Sequence, residues 1–284
     1  MNYRHAFHAG SFADVLKHAV LAMALELLTT KPKPLRVIDT HAGIGSYRLD
    51  SDEARRTGEW QSGIGRLIGP SAGPLPDDIS ALLAPYLSAV GGCNSGGELQ
   101  VYPGSPSLAL ALLRSDDRLI ANELHPADAE ALHRNLRGDP RAKVLSLDGW
   151  QALRALLPPK ERRGLILIDP PFEEPGEFQR LIDGLEQATR RFATGTYVLW
   201  LPVKEPRQVA SFRAALARLG LGKLFWLELH TEALATAGKL AGTAVVILNP
   251  PFGLEARIGK LMPFLADRLA TGPGASWRFG PLAA

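Results

Sequence analysis

The chain has 284 residues, 46% hydrophobic and 21% charged, with a net charge of +3, a balance that excludes disordered, collagenous and fibrous classes and permits a nucleic-acid partner without requiring one. A single cysteine, Cys93, excludes an intrachain disulfide, cysteine-based zinc or iron–sulfur sites and a paired-cysteine redox centre, so a reducing compartment is expected. No apolar run reaches the ~20 residues of a membrane span, since Val15 to Leu28 carries Lys17, His18 and Glu26; with no signal-like start, a cytoplasmic protein without a membrane partner is expected.

In chain order, Ser11-Phe12-Ala13-Asp14 has capping-box spacing and opens a helix whose apolar positions run from Val15 to Leu28 and which stops before Pro32 and Pro34. A buried strand, Leu35 to Ile38, leads into Asp39-Thr40-His41-Ala42-Gly43-Ile44-Gly45. Six further strands are expected at 118–124, 143–147, 164–168, 196–201, 224–229 and 243–248, with helices at 105–114, 126–136, 149–156, 177–191 and 206–219 between most of them. Alternation of this kind implies a doubly wound, Rossmann-like α/β sheet of seven mostly parallel strands. Only the last pair lacks a helical link, so the last strand is read as antiparallel. About 80 residues separate the first two strands where about 30 would serve. A small helical insertion at 51–101, carrying a helix near Ile79 to Val90, is therefore placed within one domain spanning 1–284.

Asp169-Pro170-Pro171-Phe172 follows the apolar run 165–168, which puts it at the carboxyl end of a central strand, where open α/β sheets bind ligands. The prolines leave turn carbonyls free as acceptors, Asp169 adds a carboxylate, and Phe172 offers a stacking face. Acceptors and a stacking face together suit the exocyclic amine of a flipped base. The glycine turn after Asp39 lacks the third glycine of a dinucleotide fingerprint, because position 48 is Arg48, which disfavours a pyrophosphate cofactor and leaves cofactors without one, such as S-adenosylmethionine. Glu123 and Asp148 close two more strands, Glu123 able to accept from ribose hydroxyls and Asp148, with the Gly149 N–H, able to read an adenine edge. Asn249-Pro250-Pro251-Phe252 repeats the turn pattern but follows the antiparallel strand, so it is assigned to the opposite sheet edge. His5 and His8 lack carboxylates at ligand spacing, and no metal is expected. Between Arg134 and Arg163 eight Lys/Arg face three Asp/Glu, a candidate phosphate-contacting patch.

Seven segments resemble the RlmJ family of 23S rRNA adenine-N6 methyltransferases: Tyr3-Arg4-His5-Ala6-Phe7-His8-Ala9-Gly10, Ala13-Asp14-Val15-Leu16-Lys17-His18, Asp39-Thr40-His41-Ala42-Gly43, Tyr102-Pro103-Gly104-Ser105-Pro106, Glu123-Leu124-His125-Pro126, Arg163-Gly164-Leu165-Ile166-Leu167-Ile168-Asp169-Pro170-Pro171 and Arg191-Phe192-Ala193-Thr194-Gly195-Thr196-Tyr197. The resemblance spans nearly the whole chain and implies a class I methyltransferase fold. It implies S-adenosylmethionine contacts at His18, His41, Ser105, Glu123, Asp148 and Gly149, a catalytic Asp169 that also meets the cofactor, and Tyr3 beside the RNA. Lys17 joins that set. Phe172 stands where the family more often has tyrosine, which keeps the stacking face and drops a hydroxyl. A monomer acting on 23S rRNA, as free RNA or an early assembly intermediate, is the expected state. A DNA or other amino-methyltransferase and a non-catalytic RNA-binding or ribosome-assembly factor are the alternatives.

Overall fold

In the computed structural model residues 4–69, 72–94, 96–234 and 240–282 are described. The first helix, α1 (Phe12–Thr29), is apolar enough to be enclosed, and every residue from Ala13 to Leu25 is buried, Lys17 and His18 included. The expected capping box at its start does not form, because the Ser11 side chain caps nothing and Asp14 turns instead toward Gly10, whose N–H it accepts at 2.9 Å.

β1 (Arg36–Asp39) enters the centre of the molecule, and a short ribbon of β2 (Ser46–Arg48) and β3 (Val101–Pro103) then brackets the insertion. Within it lie α2 (Asp52–Thr57), α3 (Glu59–Ser62), α4 (Gly65–Ile68) and α5 (Asp77–Gly92), the last covering the predicted helix. Arg48 pairs with Val101 and the Leu49 N–H donates to Gln100 at 2.8 Å, so the inserted segment leaves and returns at one point. Beyond it follow α6 (Ser105–Leu112), β4 (Arg118–Asn122), α7 (Pro126–Asn135), β5 (Ala142–Leu145), α8 (Gly149–Ala155), β6 (Gly164–Ile168), α9 (Glu177–Arg191), β7 (Thr196–Val203), α10 (Pro206–Arg218), β8 (Leu224–His230), β9 (Gly242–Leu248), α11 (Leu254–Arg268) and β10 (Ser276–Pro281).

The main sheet has the order β10-β8-β9-β7-β6-β1-β4-β5. β1 is parallel to both β6 and β4, and β9 is antiparallel to both β7 and β8, as the missing helical link implied. The sheet therefore has eight strands, one more than expected. β10, antiparallel to β8, escapes a sequence reading because it is a short, largely exposed edge strand in which Trp277 and Phe279 alternate with Ser276 and Arg278 over too few residues to stand out. α11 was also unexpected: Pro263 and Gly259 interrupt its pattern, yet it buries Ile258, Leu261, Met262 and Leu265. All of β6 is buried, with Leu165 and Leu167 facing α1 and its neighbours and Ile166 and Ile168 facing the α8–α9–α10 side, which is why the strand reads as an unbroken apolar run. Among the described residues no helix is long and apolar enough to cross a membrane.

Three members of the basic surplus between Arg134 and Arg163 have partners away from the expected patch. Arg163 donates to the carbonyls of Leu28 and Lys33, and Arg141 pairs with Asp139 at 2.6 Å and donates to Leu113 O, all at the amino-terminal edge of the sheet. Arg134 is paired with Glu130. Arg141 and Arg163 thus staple loops at the edge away from the strand ends that carry the acids. The same edge is pinned by Asp117, 0% exposed, which accepts from the Leu35 N–H at 2.9 Å, the Arg114 N–H at 3.0 Å and the Arg114 guanidinium. Its carboxyl is held below the usual range although burial alone would raise it, because Arg114 and the two N–H groups favour the anion. Asp117→Ala is expected to lower stability by about 2–4 kcal/mol at pH 7, from the stranded donors. In urea titrations the gap from the natural protein should narrow as pH falls from about 4, where the unfolded carboxyl begins to protonate, through the lower range in which the native one does.

Candidate active site

Parallel register decides which side chains meet. Asp39 ends β1 level with Leu167, Asp169 lies just beyond β6, and Glu123 just beyond β4, so three acids emerge where the strand order reverses around β1. Asn122, fully buried, clamps this edge: its amide donates to Thr40 O at 3.0 Å and Leu147 O at 2.8 Å, and its oxygen accepts from the Leu147 N–H at 3.0 Å. Around the edge lies a cavity of about 230 Å³ whose lining includes His18, His41, Ser105, Glu123, Asp148, Gly149, Asp169 and Lys17. Every cofactor-contact residue that the resemblance implied, and Lys17 with them, lies on its walls. Pro171 lines it as well. Pro170 is buried beneath the turn, and Phe172, at a φ of 53°, leans on Phe178 (ring centroids 5.0 Å apart) and Trp200 (5.8 Å) and is not part of the lining. Tyr3 lies outside the described residues.

Lys17 is the buried cation of the site. Its Nζ donates to Asp169 Oδ2 at 2.5 Å and is 2.9 Å from Asp14 Oδ1, while Asp14 Oδ2 is 3.0 Å from His5 Nε2. Burial by itself would lower the lysine, but the two carboxylates outweigh it and hold the ammonium well above its ordinary value. For Asp14 burial would raise the carboxyl, and His5 and Lys17 instead hold it well below. Asp169 Oδ1 makes no hydrogen bond among the described residues.

His18 and His41 are neutral, burial pulling His18 down to about 3 and His41 down to about 4. The Thr40 hydroxyl lies 3.0 Å from Leu167 O and 2.9 Å from His41 Nδ1; with its one hydrogen given to the carbonyl, the second contact is donated by the imidazole Nδ1–H. His41 Nε2 is therefore an acceptor. It stands against Gly149, where a Cβ would come within 2.4 Å of it, and Gly149 is required there by contact rather than by its φ. Glu123 takes one N–H on each oxygen, from Gly43 at 2.9 Å and His125 at 2.8 Å, leaving further lone pairs for a ligand; burial pushes its pKa up. Asp148 caps α8, accepting from Trp150 and Gln151 through Oδ1 alone. Capping the helix therefore leaves its Oδ2 available to a ligand.

His5, Tyr47, Trp150 and Glu177 also line the cavity, and the sequence offers little signal for them. His5 is carried in by a 3₁₀ turn (His5–Phe7) that the insertion holds: Thr57 Oγ1 donates to Phe7 O at 2.5 Å, Arg4 pairs with Glu53 at 3.2 Å, and His8 is bonded to Glu59 at 3.0 Å, which raises the His8 pKa. Among the described residues no group of three or more potential ligands could hold a metal ion. The decoy turn lies where expected, since the Asn249 amide donates to Ala193 O and Gly195 O at the entry to β7, on the opposite edge from Asp169.

Asp39, 1% exposed, accepts from Ser105 Oγ at 2.6 Å and the His41 N–H at 3.3 Å, and burial pushes its carboxyl up to about 7. A raised acid favours the folded state at low pH and loses that contribution as pH rises from about 4 through 7. Asp39→Asn, which keeps an acceptor for Ser105, should therefore be more stable than the natural protein at pH 8, with the advantage vanishing toward pH 4. Urea midpoints measured across that range check this.

The family described as ribosomal RNA large subunit methyltransferase D, RlmJ, matches residues 32–279. The chain is 41% identical over 278 residues to ribosomal RNA large subunit methyltransferase J of Haemophilus influenzae, covering 98% of this chain and 97% of that protein. It is 41% identical over 269 residues to the protein of the same name in Escherichia coli, covering 95% and 94%. A solved structure of a Legionella pneumophila protein superposes with a TM-score of 0.87 at 34% identity, over 96% of this chain and 98% of that one.

Proposed function

The chain belongs to the RlmJ family of ribosomal RNA large subunit methyltransferases, and from that membership we propose that it moves a methyl group from S-adenosylmethionine to N6 of an adenine in 23S rRNA. The observation that carries the reading is one cavity walled together by Glu123, Asp148 with Gly149, His18, His41, and Asp169 with Pro171 of its turn. The donor set fits the cofactor. Glu123 has free lone pairs for ribose hydroxyls, the Gly149 N–H and Asp148 suit an adenine edge, and the acidic lining suits a sulfonium and an ammonium. Among the described residues His18 Nε2 is buried with no partner, a polar atom that an arriving ligand would satisfy.

When bound, the cofactor supplies an electrophilic methyl group. The chain's contribution is to the amine. The N6 lone pair of adenine is delocalised into the ring, so acceptors that bind its N–H groups return electron density to nitrogen and fix its direction. Asp169 Oδ1, left open while Lys17 holds Oδ2, and the Pro170 carbonyl are those acceptors; Asp169 or solvent takes the proton. The half-buried Phe172 ring, backed by Phe178 and Trp200, gives the flipped base a stacking surface, and Tyr3 contacts the RNA beside it. We take the protein to act as a monomer, one domain of residues 1–284 with its 51–101 insertion, on free RNA or an early assembly intermediate.

Asp169→Ala is expected to abolish labelled methyl transfer to deproteinised 23S rRNA, by at least about a thousandfold, with circular dichroism unchanged. Parallel assays on assembled subunits and DNA separate the substrates: DNA as the sole acceptor, or no acceptor at all, overturns the assignment. Gly149→Ala is expected to weaken S-adenosylmethionine binding at least about tenfold by calorimetry, because the added methyl group displaces His41.

A further inference from the structure

Three buried side chains that the mechanism above does not use as a group connect the insertion to the cavity. Tyr86 of α5 and Tyr102 of β3 have hydroxyls 2.9 Å apart, and Tyr102 Oη is 2.7 Å from Nδ1 of His18 on α1. Tyr86 and His18 are 1% exposed and Tyr102 0%. The His18 and Tyr102 rings are stacked, with centroids 5.5 Å apart and planes at 20°. Water does not reach such a chain, so its hydrogens must be placed among its own atoms.

Only one placement uses both hydroxyl hydrogens. If His18 Nδ1 carried the proton and donated to Tyr102, the Tyr102 hydrogen would pass to Tyr86, and the Tyr86 hydrogen would be buried without an acceptor among the described residues. Run the other way, Tyr86 donates to Tyr102, Tyr102 donates to Nδ1, and the proton of the neutral imidazole sits on Nε2. That nitrogen, across the ring from the Tyr102 bond, is buried without a partner among the described residues, on a side chain that lines the cavity.

We propose that Tyr102, with its hydroxyl oriented by Tyr86 from the insertion, is a positioning residue that fixes His18 as the Nε2–H tautomer and so presents a hydrogen-bond donor to an acceptor atom of the bound cofactor. The proposal rests on reading the cavity as the S-adenosylmethionine site. His41 is set the opposite way by Thr40, so the two imidazoles offer the ligand one donor and one acceptor. The insertion is thereby tied to cofactor binding through a hydroxyl pair, whatever it contributes toward RNA.

The test is the ring-nitrogen spectrum of ¹⁵N-histidine-labelled, cofactor-free protein at pH 7.5, combined with calorimetric titration of S-adenosylmethionine. The natural protein should show His18, assigned by loss of its signals in His18→Gln, as the Nε2–H form alone; a dominant Nδ1–H form overturns the proposal outright. Tyr102→Phe should turn that signal into a mixture of tautomers and weaken the cofactor about tenfold. Tyr86→Phe should keep the Nε2–H signal and weaken the cofactor about threefold. Added to Tyr102→Phe it should cause no further loss, because the relay is serial. Tyr102→Phe with unchanged ring-nitrogen shifts and a cofactor Kd within twofold of the natural protein assigns the pair to packing alone and overturns the proposal, even if the melting temperature falls. An Nε2–H signal in a natural protein that binds no S-adenosylmethionine leaves the relay standing and removes the cofactor reading instead.

Discussion

The ammonium of Lys17, buried between Asp14 and Asp169, is the constraint from which the site follows. A desolvated cation strongly destabilises a fold unless its partners are close and themselves satisfied, and breaking such a pair is far worse than never having built it. Two carboxylates satisfy this one. Asp14 in turn is held by His5 and by the Gly10 N–H. The first helix, the residues preceding it and the turn after β6 are therefore fixed relative to one another by a single chain of charges. The capping box that Asp14 would have joined is given up for this arrangement.

Sheet topology supplies the rest of the geometry. Placing β1 between β6 and β4 opens a crevice at the carboxyl edge, and parallel register brings Asp39, Glu123 and Asp169 to that crevice from three strands far apart in sequence. Asn122 then ties the segments following β1 and β5 to the end of β4 with three hydrogen bonds, so the loops that carry His41 and Asp148 are held by backbone groups. Such support gives a wall of loops the precision that a ligand site requires.

The insertion is joined to this edge at two levels. Its short helices hold the tail that delivers His5, and its longest helix sends Tyr86 into the hydroxyl pair beside His18. An inserted segment that enters and leaves through a two-stranded ribbon could have been a mobile appendage. Here its contacts run to the same wall of the cavity as those of α1.

Much of this was legible in the order of residues. Short apolar runs such as Leu165 to Ile168, bounded by turn residues and alternating with helices, read as strands covered on both faces, the helices between them imply a parallel sheet, and acids directly after such strands lie at its ligand-binding edge. Asp169, Glu123, Asp148 and the decoy at Asn249 were placed by that logic alone, and the antiparallel β9 by the missing helix before it. What had no local signal is what depends on partners distant in sequence. The exposed strand β10 and the proline-interrupted α11 exist because β8 and α1 offer surfaces to cover. Arg141 and Arg163, which read as a phosphate-contacting surplus, are fastened to carbonyls at the far edge. The residue types and their strand-end positions determined which chemistry the chain could perform. Only tertiary structure decided that Lys17 faces Asp169, that Phe172 leans on Trp200 and that Tyr102 meets His18, because hydrogen bonds and burial are settled by which atoms the fold brings within about 3 Å, and sequence spacing carries no such distance.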